Sequence, residues 1–306
     1  MKPLTSREKR VLILFAVFCG IWGWDHIRRR WSPDGAFETE HYRIESTATA
    51  EQTREIGQVA EIVYRGYAQL LDRLGLQIRP HAKLRMRLFK DREEFRLCNR
   101  VYDWAEAFYR TPYCYQYYSA GEAHPYHWMM HEATHQLNVE AAYLMLPQWL
   151  DEGLACYVST SRIVDNTLCL GRIDTHTYPV WWLDSMGLSG DLDADKSDGR
   201  IIPLRVIVSG QGGPDLNKKF NLYYLHRWSL AHFLMEQENG TQRAGVAQII
   251  KDGASLATFE KHVGPIEGVE RQWYNHLRDL AQQLAGEVTP SVRLGPARDG
   301  SFRRGR

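Results

Sequence analysis

The sequence predicts an α+β fold: a small mixed β-sheet in the N-terminal half, a helical C-terminal half, and between them a helix carrying the densest group of His and Glu residues. Three observations lead there. Segments with the two-residue alternation of strands all fall before residue 118. Apolar positions at helical spacing dominate from residue 125 onward. One long amphipathic helix interrupts the early strands.

Taken in order, Lys2, Arg7, Lys9 and Arg10 precede an apolar run from 11 to 24, followed by Arg28, Arg29 and Arg30. The run is signal-peptide length and short for a membrane span, yet no small-x-small cleavage site follows it. Residues 1–35 are therefore expected to form a signal anchor and juxtamembrane segment. This implies a single-pass protein of the cell membrane with its folded part outside the cytoplasm; a cleaved signal would make it secreted or periplasmic, and a buried N-terminal helix is a further alternative. The folded domain is expected over 36–286 and a disordered basic tail over 287–306.

Within the domain, 37–45 alternates as a strand. Residues 50–74 carry Ile56, Val59, Ala60, Val63, Tyr64, Tyr67, Leu70 and Leu71 at helical spacing, and Gly75 terminates the helix. Strict alternation marks a strand at 83–89, a short helix follows at Arg92–Cys98, and 113–118 reads as an aromatic strand. Helices are expected at 125–138, 147–159, 219–237, 243–252 and 267–285, with 160–218 irregular. The acidic stretch from Asp191 to Asp198 lacks the Gly and Glu of a calcium loop, with Lys196 and Ile202 in those places, and is read as a solvated loop.

Composition excludes more than it selects. The net charge of +1 gives no reason to expect nucleic acid. The ten Trp and sixteen Tyr point first to core packing and second to a groove for peptide side chains. Cys19, Cys98, Cys114, Cys156 and Cys169 contain no CxxC pair, which argues against a zinc ribbon. The four outside the apolar run could form two disulfides in three pairings.

The decisive chemistry lies in His131-Glu132-Ala133-Thr134-His135. Two histidines four apart on a helix face the same way and reach one zinc ion, while Glu132 is placed to act as general base toward a zinc-activated water. A catalytic zinc takes three protein ligands. Leu146-Pro147-Gln148-Trp149-Leu150-Asp151-Glu152-Gly153-Leu154-Ala155 supplies the third on the next helix, with Glu152 the candidate and Asp151 its alternative. His124 and His127 lie at the start of the first helix, where metal contact would compete with Glu152.

These two motifs resemble those of the gluzincin zinc metallopeptidases, nearest the peptidase-MA-like bacterial families, in which HExxH is followed by WLxEGxA and its glutamate ligates zinc. Both halves match at every ligand position, and a looser likeness extends over roughly 37–240. The resemblance implies a thermolysin-like zincin domain, one Zn2+ per chain held by His131, His135 and Glu152, and peptide-bond hydrolysis. It also points to an oxyanion donor at the start of the helix beginning near 219, with Tyr224 the candidate and Tyr223 and His226 beside it. Substrates in such enzymes lie along a strand edge, for which 113–118 is the candidate. No GxMEN-like motif is present, which favours an endopeptidase acting on peptide or protein substrates. The alternative is a zinc-binding but inactive extracytoplasmic interaction domain, and behind it a metal-free module with an accidental motif.

Overall fold

The structure, a computed structural model, describes residues 31–102, 105–119 and 121–285. The expected anchor run and basic tail lie outside the described residues. Among those described, no helix is long and apolar enough to cross a membrane. Trp31 already packs on the domain, its ring 4.9 Å from that of Phe89, so the packed body reaches N-terminal of residue 36.

Strands β1 (Gly35–Glu38) and β2 (Tyr42–Ser46) pair antiparallel. The segment expected as one strand over 37–45 is thus broken at 39–41. Thr39 closes the turn: its amide donates to the Tyr42 carbonyl at 3.0 Å and its hydroxyl accepts from the Tyr42 amide at 3.1 Å. Helix α1 (Ala50–Arg73) starts in a capping box between Thr49 and Gln52 and ends at Gly75, whose φ of +63° suits a residue without Cβ.

After it come β3 (Leu84–Phe89), α2 (Arg92–Cys98) capped by Asp91, β4 (Ala107–Arg110) and β5 (Tyr113–Tyr117). The sheet order is β1-β2-β3-β5-β4, with β2, β3 and β5 parallel and both outer strands antiparallel to their neighbours. Ile44, Met86 and Cys114 turn inward under α1 and the helix after β5. Arg85 and Arg87 turn outward, where the Arg87 guanidinium lies 4.0 Å from the Tyr113 ring centre and pairs with Glu45. The aromatic strand at 113–118 is therefore an inner strand and not the edge it was expected to be; β4 takes that position.

Helix α3 (His127–Gln136) runs into one π-helical turn at Leu137–Ala141, and α4 (Gln148–Ser159) begins directly after Pro147. The next region is not irregular. It holds a hairpin of β6 (Ser161–Val164) and β7 (Thr167–Ile173), then α5 (Leu192–Ser197) and α6 (Leu204–Ser209). The acidic stretch is not a solvated loop either. Asp191 caps α5, and Asp195 is buried against Arg200 at 2.8 Å and the Tyr274 hydroxyl at 2.6 Å. Helices α7 (Phe220–Glu236), α8 (Arg243–Asp252), α9 (Leu256–His262) and α10 (Ile266–Leu284) complete an α+β architecture.

The packing of α4 against α7 sets the position of the site. Gly153 makes it close: a Cβ there would stand 2.9 Å from the Arg227 carbonyl oxygen and 3.2 Å from the Ala231 Cβ. Gly153→Ala is expected to push the two helices apart and to cost about 1–3 kcal/mol, the usual range for overpacking a tight contact. Chemical denaturation of the purified variant checks this; an unchanged midpoint would show the contact to be slack.

Candidate metal centre

Helical periodicity stacks His131 and His135 one turn apart, and their Nε2 atoms face each other at 3.1 Å. The π-turn and Pro147 bring α4 back alongside, so that Glu152 Oε2 lies 3.3 Å from His131 Nε2 and 3.6 Å from His135 Nε2. Atoms ligating one zinc ion tetrahedrally at about 2.0–2.1 Å are about 3.3 Å apart, which these three distances bracket. Glu152 Oε2 is buried and takes no hydrogen bond. Among the described residues, this is the one group of three or more His, Cys, Asp or Glu side chains close enough to share an ion. Two imidazoles and a carboxylate are a donor set that suits zinc.

What lies behind the ligands favours the same assignment. The Nδ1 atom of His135 is 2.9 Å from Asp151 Oδ2; Asp151 Oδ1 accepts from Asn138 Nδ2 at 2.8 Å, and Asn138 Oδ1 accepts from the Tyr67 hydroxyl at 2.6 Å. Asp151 thus orients His135 and leaves its Nε2 free, instead of standing in for Glu152 as a ligand. The Nδ1 of His131 meets Cys156 Sγ at 3.7 Å. Burial pushes the Cys156 thiol up, and Glu152 adds to the effect, so it is a neutral neighbour. Cys98, Cys114, Cys156 and Cys169 are all free thiols, and none of the three disulfide pairings forms. Burial opposes charge on both His135 and Glu152. Even so, the hydrogen bond to Asp151 and the nearby Glu152 carboxylate hold the His135 pKa well above its ordinary value, and the two histidines hold the Glu152 carboxyl below the usual range.

Asp151→Asn removes the charge and the acceptor that fix the His135 ring. It is expected to weaken zinc affinity about 10–100-fold, as measured by competition with a chromophoric chelator. Unchanged affinity would leave Asp151 with no part in holding the ring.

Glu132, one residue after His131, points to the neighbouring face of α3. Its Oε2 accepts the backbone N–H of Tyr109 on β4 at 2.7 Å, which ties the carboxylate to the sheet edge. Tyr224 lies across the site with its ring centre 6.2 Å from that of His131. It continues into an aromatic wall of Tyr178, Trp128 and Trp181, while Phe220 packs on it from its own helix. Burial, with Glu152 nearby, raises the Tyr224 pKa far above the ordinary phenol value, so the hydroxyl keeps its proton.

The other two oxyanion candidates are engaged elsewhere. Tyr223 donates to the Pro214 carbonyl, and His226 is fully buried between the Leu222 carbonyl and the Ile202 amide. His127 is buried with Nδ1 against the His124 carbonyl, burial pushes its pKa down to about 3, and neither His124 nor His127 joins the ligand cluster.

In the sequence Tyr109 and Asn138 show no role, Tyr67 only a place among the apolar positions of a helix, and Cys156 only a place among the cysteines. Cys156 alone carried a signal, since it follows Glu152 by four residues on one helix face. The sequence matches no protein-family model and no curated protein, so the functional reading rests on the residues themselves.

Proposed function

We propose that the chain is a zinc-dependent peptidase of gluzincin type, with a thermolysin-like arrangement of its site, hydrolysing internal bonds of peptides or proteins. The observation that carries this reading is the convergence of His131, His135 and Glu152 on one point, with Glu132 held on the neighbouring face by the edge strand.

Zinc bound there would supply Lewis acidity, polarising a carbonyl and lowering the pKa of water. The remaining chemistry falls to side chains. Glu132, fixed by the Tyr109 amide, takes a proton from the attacking water and passes it to the leaving amine. Tyr224, kept protonated by burial, donates to the oxygen that gains charge as the tetrahedral centre forms. Asp151 and Cys156 hold the two imidazoles in the tautomer that presents Nε2. Strand β4 ends the sheet beside Glu132, and a peptide laid along it would use backbone hydrogen bonds for affinity and the aromatic wall for selectivity. The apolar segment before residue 31 would tether this domain to the membrane.

The test is incubation of the purified full chain with a proteome-derived peptide library, with cleavage read by mass spectrometry. Cleavage within peptides that stops on chelation and returns with zinc is the expected result. A zinc-loaded protein that cleaves nothing would favour the inactive interaction domain.

A further inference from the structure

Arg227 stands one turn after Tyr224 on α7 and is only 5% exposed. Its guanidinium carbon is 5.9 Å from the Tyr224 ring centre and 5.3 Å from that of Tyr223. Its carbonyl oxygen is the atom on which Gly153 packs, so the residue is anchored directly opposite the turn bearing Glu152. The Tyr224 ring that it faces has its centre 6.2 Å from that of His131, which puts the guanidinium beside the inner wall of the metal centre.

What distinguishes Arg227 is that, beside the Tyr223 and Tyr224 rings, its charge has no anionic partner. Its Nε and Nη1 are buried and make no hydrogen bond, and no carboxylate among the described residues pairs with it. Arg243, also partly buried, shows the ordinary arrangement, donating to the Met235 carbonyl and to Glu236. A guanidinium does not shed its proton to escape burial, so the fold carries an uncompensated cation next to the site. Its planar set of donors matches a carboxylate.

We propose that Arg227 is the anion-recognition residue of this site, binding a carboxylate of the substrate peptide, either its free C-terminus or an acidic side chain near the scissile bond. This rests on the peptidase reading for its substrate class, but its test reads binding and not turnover.

The full chain carrying Glu132→Gln is loaded with zinc and titrated calorimetrically with N-acetylated peptides. One pair differs only in a C-terminal acid or amide; a second pair, both amidated, differs only in Asp or Asn at one internal position. At least one carboxylate peptide is expected to bind about 30-fold more tightly than its neutral twin, the size of a charge-assisted hydrogen bond. The pair that shows the preference identifies the source of the carboxylate.

Adding Arg227→Met should reduce that preference to less than about threefold. It should also leave the melting temperature level or higher, because an unpaired buried cation gives way to an apolar side chain of similar length. Equal binding within both pairs would overturn the proposal, as would a preference that survives Arg227→Met. If the double variant does not fold, Arg227→Lys, which keeps the charge but not the planar fork, replaces it, and a preference that stays near 30-fold there overturns the proposal. Absence of cleavage by the wild type would count against the peptidase reading and leave this result standing.

Discussion

Glu132→Gln is expected to leave zinc in place and to lower kcat by about 10²–10⁴-fold, the contribution of a positioned general base. The amide is isosteric, and its oxygen still accepts the Tyr109 N–H that now holds the carboxylate at 2.7 Å, so side-chain placement survives while basicity is lost. Because Glu132 is not one of the three side chains proposed to hold the ion, His131, His135 and Glu152, metal content should match the wild type. Peptide cleavage and zinc content measured on the same preparation separate the two effects. Retained turnover would remove Glu132 from the chemistry, and lost zinc would mean that it supports the ligand cluster.

The second large effect is on stability. Trp228 is fully buried on α7, and its indole N–H donates to the Thr160 hydroxyl at 2.9 Å, tying α7 to the end of α4. Trp228→Ala removes a large side chain from the interior together with a buried hydrogen bond, at a cost of about 3–5 kcal/mol. For a domain of this size the melting temperature should fall by roughly 10–15 °C. Since α7 carries Tyr224 and Arg227 while α4 carries Glu152, the variant should also bind zinc less tightly near its lowered melting point. A fall of less than about 3 °C would show that the α4–α7 contact is not what sets the site.

How much of this was legible in the sequence depends on the range of the interaction. The clustering of these three side chains was readable because helical spacing alone places His131 and His135 on one face, and Pro147 opens the helix that returns Glu152 to them. Helix α2 matched its expected bounds, and α7 and α8 did so within a residue, because the Asp91 cap of α2 and the apolar runs of α7 and α8 are local signals. Strand β4 was missed because four residues, Ala107 to Arg110, are too few to establish a period, and with it went the true sheet edge and the Tyr109 amide that holds Glu132.

The β6–β7 hairpin did carry a signal. Asp165 and Asn166, both at positive φ, form the two-residue turn that such pairs favour between β-branched runs. By contrast, the chain from His135 through Asp151 and Asn138 to Tyr67 joins three elements, and nothing local in the sequence announces it. The missing partner of Arg227 is of the same kind, since only packing reveals which cations are left uncompensated.

The central claim is that three side chains on two helices hold one zinc ion. It is tested most directly by the zinc content of the purified full chain, wild type and His135→Ala, by elemental analysis after zinc supplementation and desalting. The account predicts one zinc per wild-type chain and almost none in the folded variant. Folded wild type that retains no zinc, or a His135→Ala variant that retains it fully, would contradict the account.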